Sequence, residues 1–268
     1  MTTYLKAENQ RRVPRVYSVL PPTQYGEPMH HLQRAVFLIS LILSGCQGTS
    51  QSLEIPAYEN PTRWAKQVKE FTDQDRLTPV AKGSVLFLGS SSIRLWDSLA
   101  TDMAPTPVIN RGFGGSKLFD AIYYSERLVS VHQPSVVVVF SGSNDIAGDN
   151  AKSADEVRDL FRQLVERLRL ADHDLTIGYI AITPTLARED HLATVREANR
   201  LIKIDCEADS KLEFVDPSVD LNDADGRPDP QWFKVDRLHL NDRGYEVWTE
   251  HIRPLVQKLY TREQLRDD

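Results

Sequence analysis

Four short polar clusters in this 268-residue chain hold side chains able to do chemistry. They are Gly89-Ser90-Ser91-Ser92, Asn110-Arg111-Gly112-Phe113-Gly114-Gly115-Ser116, Ser141-Gly142-Ser143-Asn144-Asp145 and Asp236-Arg237-Leu238-His239-Leu240-Asn241. Together they supply serine hydroxyls, a side-chain amide, glycines, carboxylates and an imidazole. A serine hydroxyl is a weak nucleophile until a base within hydrogen-bond reach takes its proton. An imidazole is suited to that task, and a carboxylate three residues earlier can fold back to hold its tautomer. The oxyanion formed in such a reaction must meet fixed donors. The chemistry open to these residues is therefore acyl transfer. Each cluster alone has a plainer reading. Ser91 by itself is a helix cap after a strand, the glycines are a turn, Asn144-Asp145 caps the next helix, and His239 is a satisfied loop histidine. Their joint arrangement is what carries force.

The elements that must position them follow from hydrophobic periodicity. Ser84 to Gly89 is continuously apolar after its serine, as expected for a strand buried on both faces of a parallel sheet. Val136 to Phe140 is the strongest strand in the chain, Pro107 to Asn110 a shorter one, and Leu175 to Ile182 and Leu212 to Val215 complete the set. Helical spacing links Trp64, Val68 and Phe71, with Pro61 near the first turn. It recurs at Leu160, Phe161, Leu164 and Leu168, and again at Leu192, Val195, Ala198, Leu201 and Ile202. A final helix carries Trp248, Ile252, Val256 and Leu259, with a bend expected at Pro254. Strands alternating with helices predict an α/β fold, a parallel sheet covered on both sides, in one domain over residues 61–262. In such sheets the working residues lie beyond the carboxyl ends of strands, where the first three clusters fall.

With these blocks in order, the chain resembles the SGNH (GDSL) hydrolase family. Gly89-Ser90-Ser91 matches that family's Gly-Asp-Ser, Gly115 its second-block glycine, Gly142-Ser143-Asn144-Asp145 its Gly-x-Asn-Asp, and Asp236-Arg237-Leu238-His239 its Asp-x-x-His. One departure is Ser90, which stands where the namesake motif has aspartate and puts the contacts of that aspartate in question. The resemblance implies a three-layer α/β/α sandwich with a five-stranded parallel sheet of flavodoxin-like order. It also implies a serine esterase acting on carboxylic esters, with no cofactor and no metal. Ser91 would be the nucleophile, His239 the base and Asp236 its orienting carboxylate. The oxyanion hole would comprise the backbone N–H groups of Ser91 and Gly115 and the side-chain amide of Asn144. Two alternatives stay open: an acyltransferase using the same triad, and a non-catalytic envelope lipoprotein that binds glycan or lipid in a relic cleft. Phe113, Trp232 and Phe233 are open between lining an apolar pocket and serving the core.

The N-terminal region reads differently. Ala35 to Leu43 is the longest apolar run, and nine helical residues rise about 14 Å against a bilayer core of about 30 Å. A transmembrane span is therefore not expected. Residues 29–45, with the polar lead Met29-His30-His31-Leu32-Gln33-Arg34 before the apolar run, read as a secretory signal. Leu43-Ser44-Gly45-Cys46 resembles the bacterial lipobox, which implies cleavage before Cys46 and its lipidation. Residues 46–60 then read as a tether, and Gln47 after the cysteine points to the outer membrane by the enterobacterial sorting pattern. Residues 1–28 show no apolar period and are expected to be an upstream mis-start or disordered, with Met29 the true start. The implied location is the cell envelope, as a periplasmic or outer-membrane lipoprotein held through its lipid anchor.

Composition narrows the rest. With 41% apolar and 26% charged residues the chain has ordinary globular proportions. A formal charge of −6 argues against nucleic acid as the main partner, since phosphate binding needs a basic face. Residues 1–45 contribute five of the basic and two of the acidic groups, so the segment from Cys46 onward stands at −9. Cys206 is expected to be a small buried side chain. Gly-x-Ser-x-Gly is absent because Ile93 stands at the second glycine position. The stretch Asp220 to Gly226 fails as a calcium loop, because Leu221 and Trp232 fall where carboxylates are required. It is expected to be a solvated loop. The composition leaves the oligomeric state undetermined.

Overall fold

The computed structural model describes residues 59–267, which lie in one compact unit. The expectations for residues 1–58, including the signal at 29–45, the lipidated Cys46 and most of the tether, lie outside the described residues. Five strands, β1 (Val85–Gly89), β2 (Val108–Gly112), β3 (Val136–Phe140), β4 (Thr176–Ile180) and β5 (Leu212–Val215), form one sheet in the order β2-β1-β3-β4-β5. Every pairing is parallel, as the all-apolar sequences of β1 and β3 require. This is the flavodoxin-like order, and its switch point lies between β1 and β3.

Alternation along the strands assigns the two faces. Leu86, Leu88, Val137, Val139, Ile177 and Tyr179 point into one core layer. That layer is filled by α1 (Ala65–Leu77), α4 (Leu118–Leu128), α5 (Ala154–Leu168) and α6 (Leu192–Ala208). Val85, Phe87, Val136, Val138 and Phe140 point the other way, onto α2 (Ser91–Arg94), α3 (Leu99–Asp102) and α7 (Asp242–Asp267). In this second layer Trp96, Tyr245 and Trp248 pack ring on ring, at centroid separations of 5.5 to 5.9 Å. Such contacts add roughly 0.5–1.5 kcal/mol per pair beyond burial. The expected α/β/α sandwich is present.

One strand runs further than the sequence reading has it, and other details bear that reading out or decide what it left open. Strand β2 continues through Arg111 to Gly112, because the Arg111 guanidinium is buried yet paired with Asp75 on α1. Helix α7 continues through Pro254, which lies exposed within it. Phe113 and Phe233 are core residues, Phe113 lying edge-on to Trp64 and Tyr124. Trp232 is half-buried beneath the Arg243 guanidinium, 4.9 Å from its ring. Cys206 is buried on α6, where burial pushes its thiol up to about 12, so it behaves as an apolar side chain. The acidic stretch closes on itself: Asp223 Oδ1 accepts from the backbone N–H groups of Asp225 and Arg227, and Asn222 bridges to Pro228.

Candidate active site

Strand β1 leads straight into the short helix α2, and Ser91 is the first residue of that turn. Its N–H has no carbonyl one turn back to receive it, so it is free to face a ligand. The Ser91 hydroxyl reaches His239 Nε2 at 2.8 Å, across 148 positions of sequence. His239 Nδ1 in turn meets Asp236 Oδ2 at 2.7 Å. The sequence-distant serine, imidazole and carboxylate thus form one continuous hydrogen-bonded chain.

The loop that brings Asp236 and His239 together is built by local bonds. Asp236 Oδ1 accepts from the N–H groups of Leu238 and His239, each at 3.0 Å. Arg237 adopts a left-handed conformation (φ 55°), uncommon for a non-glycine residue, which turns the chain tightly enough for this to happen. Lys234 donates to the His239 carbonyl at 2.7 Å and Phe233 bridges to Leu240, so the loop is a pinned hairpin. Burial alone raises the Asp236 pKa, but the His239 side chain and the two backbone N–H bonds outweigh it and hold it down to about 2. Asp236 is therefore a carboxylate at any ordinary pH and can stabilise a positive imidazole.

The second and third clusters close around Ser91. Gly115 has φ 79°, a conformation that favours glycine, and it is exposed at the mouth of the cleft. Asn144 donates through Nδ2 to the Ser116 carbonyl at 2.9 Å, which leaves its second amide hydrogen available. Ser91, Gly115, Asn144 and His239 line one open cleft of about 440 Å³, together with Gln67 and Arg94. Beside Ser91 lies a narrow recess of about 20 Å³, bounded by Ser143, Thr183, Thr185 and Leu238. That is room for about one water-sized group. Ser90, which replaces the motif aspartate, is buried at the recess and anchors by its backbone, its N–H donating to the Phe140 carbonyl.

This geometry accompanies a family match. Residues 83–247 match the GDSL-like lipase/acylhydrolase family. The chain belongs to that family. It is a hydrolase of the GDSL-like group, and its fold is shared with solved structures at low identity. A protein assigned as an acylhydrolase from Bacteroides fragilis superimposes with a TM-score of 0.61 at 22% identity, over 77% of this chain and 100% of its own. A GDSL-like lipase from Bacteroides thetaiotaomicron gives 0.59 at 20%, covering 74% and 98%. An acetyl xylan esterase variant from Geobacillus stearothermophilus gives 0.53 at 17%, covering 66% and 96%. No curated protein matches the sequence. At these identities the likeness is one of fold.

In this GDSL-like hydrolase Asp145, beside Asn144, has a structural task that its sequence position conceals. It is wholly buried, and its Oδ2 accepts from the Leu118 N–H at 3.1 Å, capping α4 rather than the helix that follows it in sequence. Burial pushes its pKa up to about 6, against the pull of the Leu118 bond and of Lys152 and Lys117. The folded chain then binds more protons than the unfolded one between about pH 4 and 6. Stability from this group is full below that window and is lost as pH rises through it. Asp145→Asn keeps a carbonyl acceptor for Leu118 and removes the titration. We expect the variant to gain stability relative to the parent by about 2–3 kcal/mol between pH 4 and 7.5. Urea unfolding of both proteins at the two pH values measures it, and an unchanged difference would count against the assignment.

Two residues of this region escape a motif-based reading. Arg188 donates to both Ser143 and Asn144, and Tyr245 on α7 donates to the Ser92 carbonyl at 2.7 Å. Tyr245 sits at helix spacing near Trp248, a signal that could have flagged it as packing beneath α2. Arg188 lies in a 3-10 segment, Leu186–His191, and no local pattern marks it.

Proposed function

We propose that this protein is a serine acylhydrolase that cleaves carboxylic esters of short acyl groups through an acyl-enzyme on Ser91. The observation that carries the reading is the hydrogen-bonded chain from Ser91 through His239 to Asp236. His239 Nε2 takes the hydroxyl proton as Ser91 Oγ attacks the ester carbonyl. The resulting oxyanion faces the N–H groups of Ser91 and Gly115 and the free hydrogen of the Asn144 amide. Collapse breaks the ester C–O bond, and the imidazolium returns its proton to the departing alkoxide. Water then attacks the acyl-enzyme by the same route, releasing the carboxylic acid and restoring Ser91.

The short acyl group is argued from the two spaces beside Ser91. The narrow recess of about 20 Å³ suits a group as small as a methyl, while the cleft of about 440 Å³ suits a larger alcohol. The acetyl xylan esterase among the fold relatives is named for substrates of that form. We also read the N-terminal region as an anchor: cleavage before Cys46 and its lipidation would hold domain 61–262 at the cell envelope. The protein is to be purified without its first 51 residues and treated with a fluorophosphonate, then assayed against chromogenic acetate and octanoate esters. Labelling at Ser91 with acetate preferred by at least about tenfold is expected. An unlabelled Ser91 would overturn the mechanism, and an octanoate preference the acyl assignment. An acyltransferase would instead pass the acetyl group to added alcohol acceptors.

A further inference from the structure

We infer that Arg188 is a positioning residue for the oxyanion site, fixing which end of the Asn144 amide faces the substrate oxygen. The inference rests on the serine acylhydrolase reading above. An asparagine amide has two ends of similar size and opposite hydrogen-bonding character, so only its partners decide its orientation. A guanidinium has five N–H donors and no acceptor. Arg188 Nη2 donates to Asn144 Oδ1 at 2.6 Å, so the atom on that side must be oxygen. On the other side Asn144 Nδ2 donates to the Ser116 carbonyl at 2.9 Å. Turning the amide over would set donor against donor at Arg188 and acceptor against acceptor at Ser116. Both partners therefore select the orientation that points the remaining N–H into the cleft beside Ser91.

Arg188 is itself held in place for this task. Its Nη1 donates to the Ser143 hydroxyl, so the two residues of the Ser143-Asn144 pair are tied to one guanidinium. The backbone at Arg188 leaves the helical region (φ −128°, ψ 35°), which interrupts the 3-10 turn at this residue. Its neighbour Ala187 donates to the Arg237 carbonyl at 3.1 Å, and Arg237 lies between Asp236 and His239. One short strap thus touches the oxyanion donor on one side and the acid–base loop on the other. Burial disfavours the Arg188 charge, with Asp145 the carboxylate that offsets it. Its direct hydrogen-bond acceptors are the neutral Ser143 and Asn144, and a positive charge behind the Asn144 carbonyl makes the amide a stronger donor.

The test is a kinetic cycle on a chromogenic acetate ester. Arg188→Met is expected to lower kcat by about 10–100-fold with KM changed less than about threefold, below the 10²–10³-fold loss typical of deleting such a donor outright. In an Asn144→Ala background the same substitution should cost less than about threefold, since the group it orients is gone. Arg188→Lys, which keeps a cationic donor, should retain more activity than Arg188→Met. If Arg188→Met loses its cooperative thermal transition, Arg188→Lys in the same cycle decides: its loss must vanish when Asn144 is alanine. A full loss that persists in the Asn144→Ala background, or an Arg188→Met enzyme with parental kcat, overturns the inference. A parent protein without esterase activity or Ser91 labelling instead overturns the underlying reading, so the two failures are separable.

Discussion

Replacing Ser91 by alanine is expected to lower kcat for ester hydrolysis by about 10⁴–10⁶-fold while leaving the fold intact. The side chain is half-exposed, and its one hydrogen bond runs to His239, so its loss opens no cavity and strands no buried group. What disappears is the covalent route. Water could still be polarised at the oxyanion site, which is why a residue of catalysis survives such deletions. His239→Ala should be nearly as damaging, and the double variant hardly worse than Ser91→Ala alone, because the two act as a unit. Steady-state rates of the three variants, with thermal unfolding as a control, measure this. Losses that multiply would mean that Ser91 and His239 work independently.

The second large effect is on stability. Gly112→Ala is expected to destabilise the domain by about 3 kcal/mol or more. Gly112 ends β2 opposite Gly89, and a Cβ there would stand 2.1 Å from the Arg94 backbone nitrogen and 2.6 Å from its Cα. Both are backbone atoms of α2, so no side-chain rotation relieves the clash. For a domain of this size the midpoint of thermal unfolding should fall by about 6–12 °C. Because α2 begins at Ser91, any shift that accommodates the methyl also moves the nucleophile from His239, and kcat should fall with it. A midpoint within 2 °C of the parent would sink this account (about 0.5–1 kcal/mol).

Gly112 also illustrates what the sequence could and could not disclose. As one glycine among three in its cluster it reads as part of a flexible turn, whereas it is a contact point between a strand and a helix. Strands β1 and β3 were legible because burial on both faces leaves only apolar residues in them. Strand β2 was cut short at Asn110, since the charge of Arg111 looks like the start of a loop when its partner, Asp75, is 36 positions away. Helix α4 went unread although Leu118, Ala121, Ile122 and Leu128 recur at helical spacing, a signal that was available. At the site, Ser91, Asp236, His239, Gly115 and Asn144 were reachable because they sit in short blocks at strand ends or on one tight loop. Arg188 was not, because its meaning lies wholly in two partners more than 40 residues upstream.

The bond between Ser91 and His239 spans almost the whole domain, and this bears on when the molecule can first act. Ser91 is synthesised 148 residues before the His239 that it meets. The helix after it, α7, packs Trp248, Ile252, Val256 and Leu259 into the core layer it shares with α2 and α3, and its Tyr245 donates to the Ser92 carbonyl in the turn that carries Ser91. On the proposed mechanism, a chain that has not yet folded this loop and helix is expected to hold an unactivated serine. Ester hydrolysis is then expected only from a chain folded through α7, and a variant ended after Leu240 should show none.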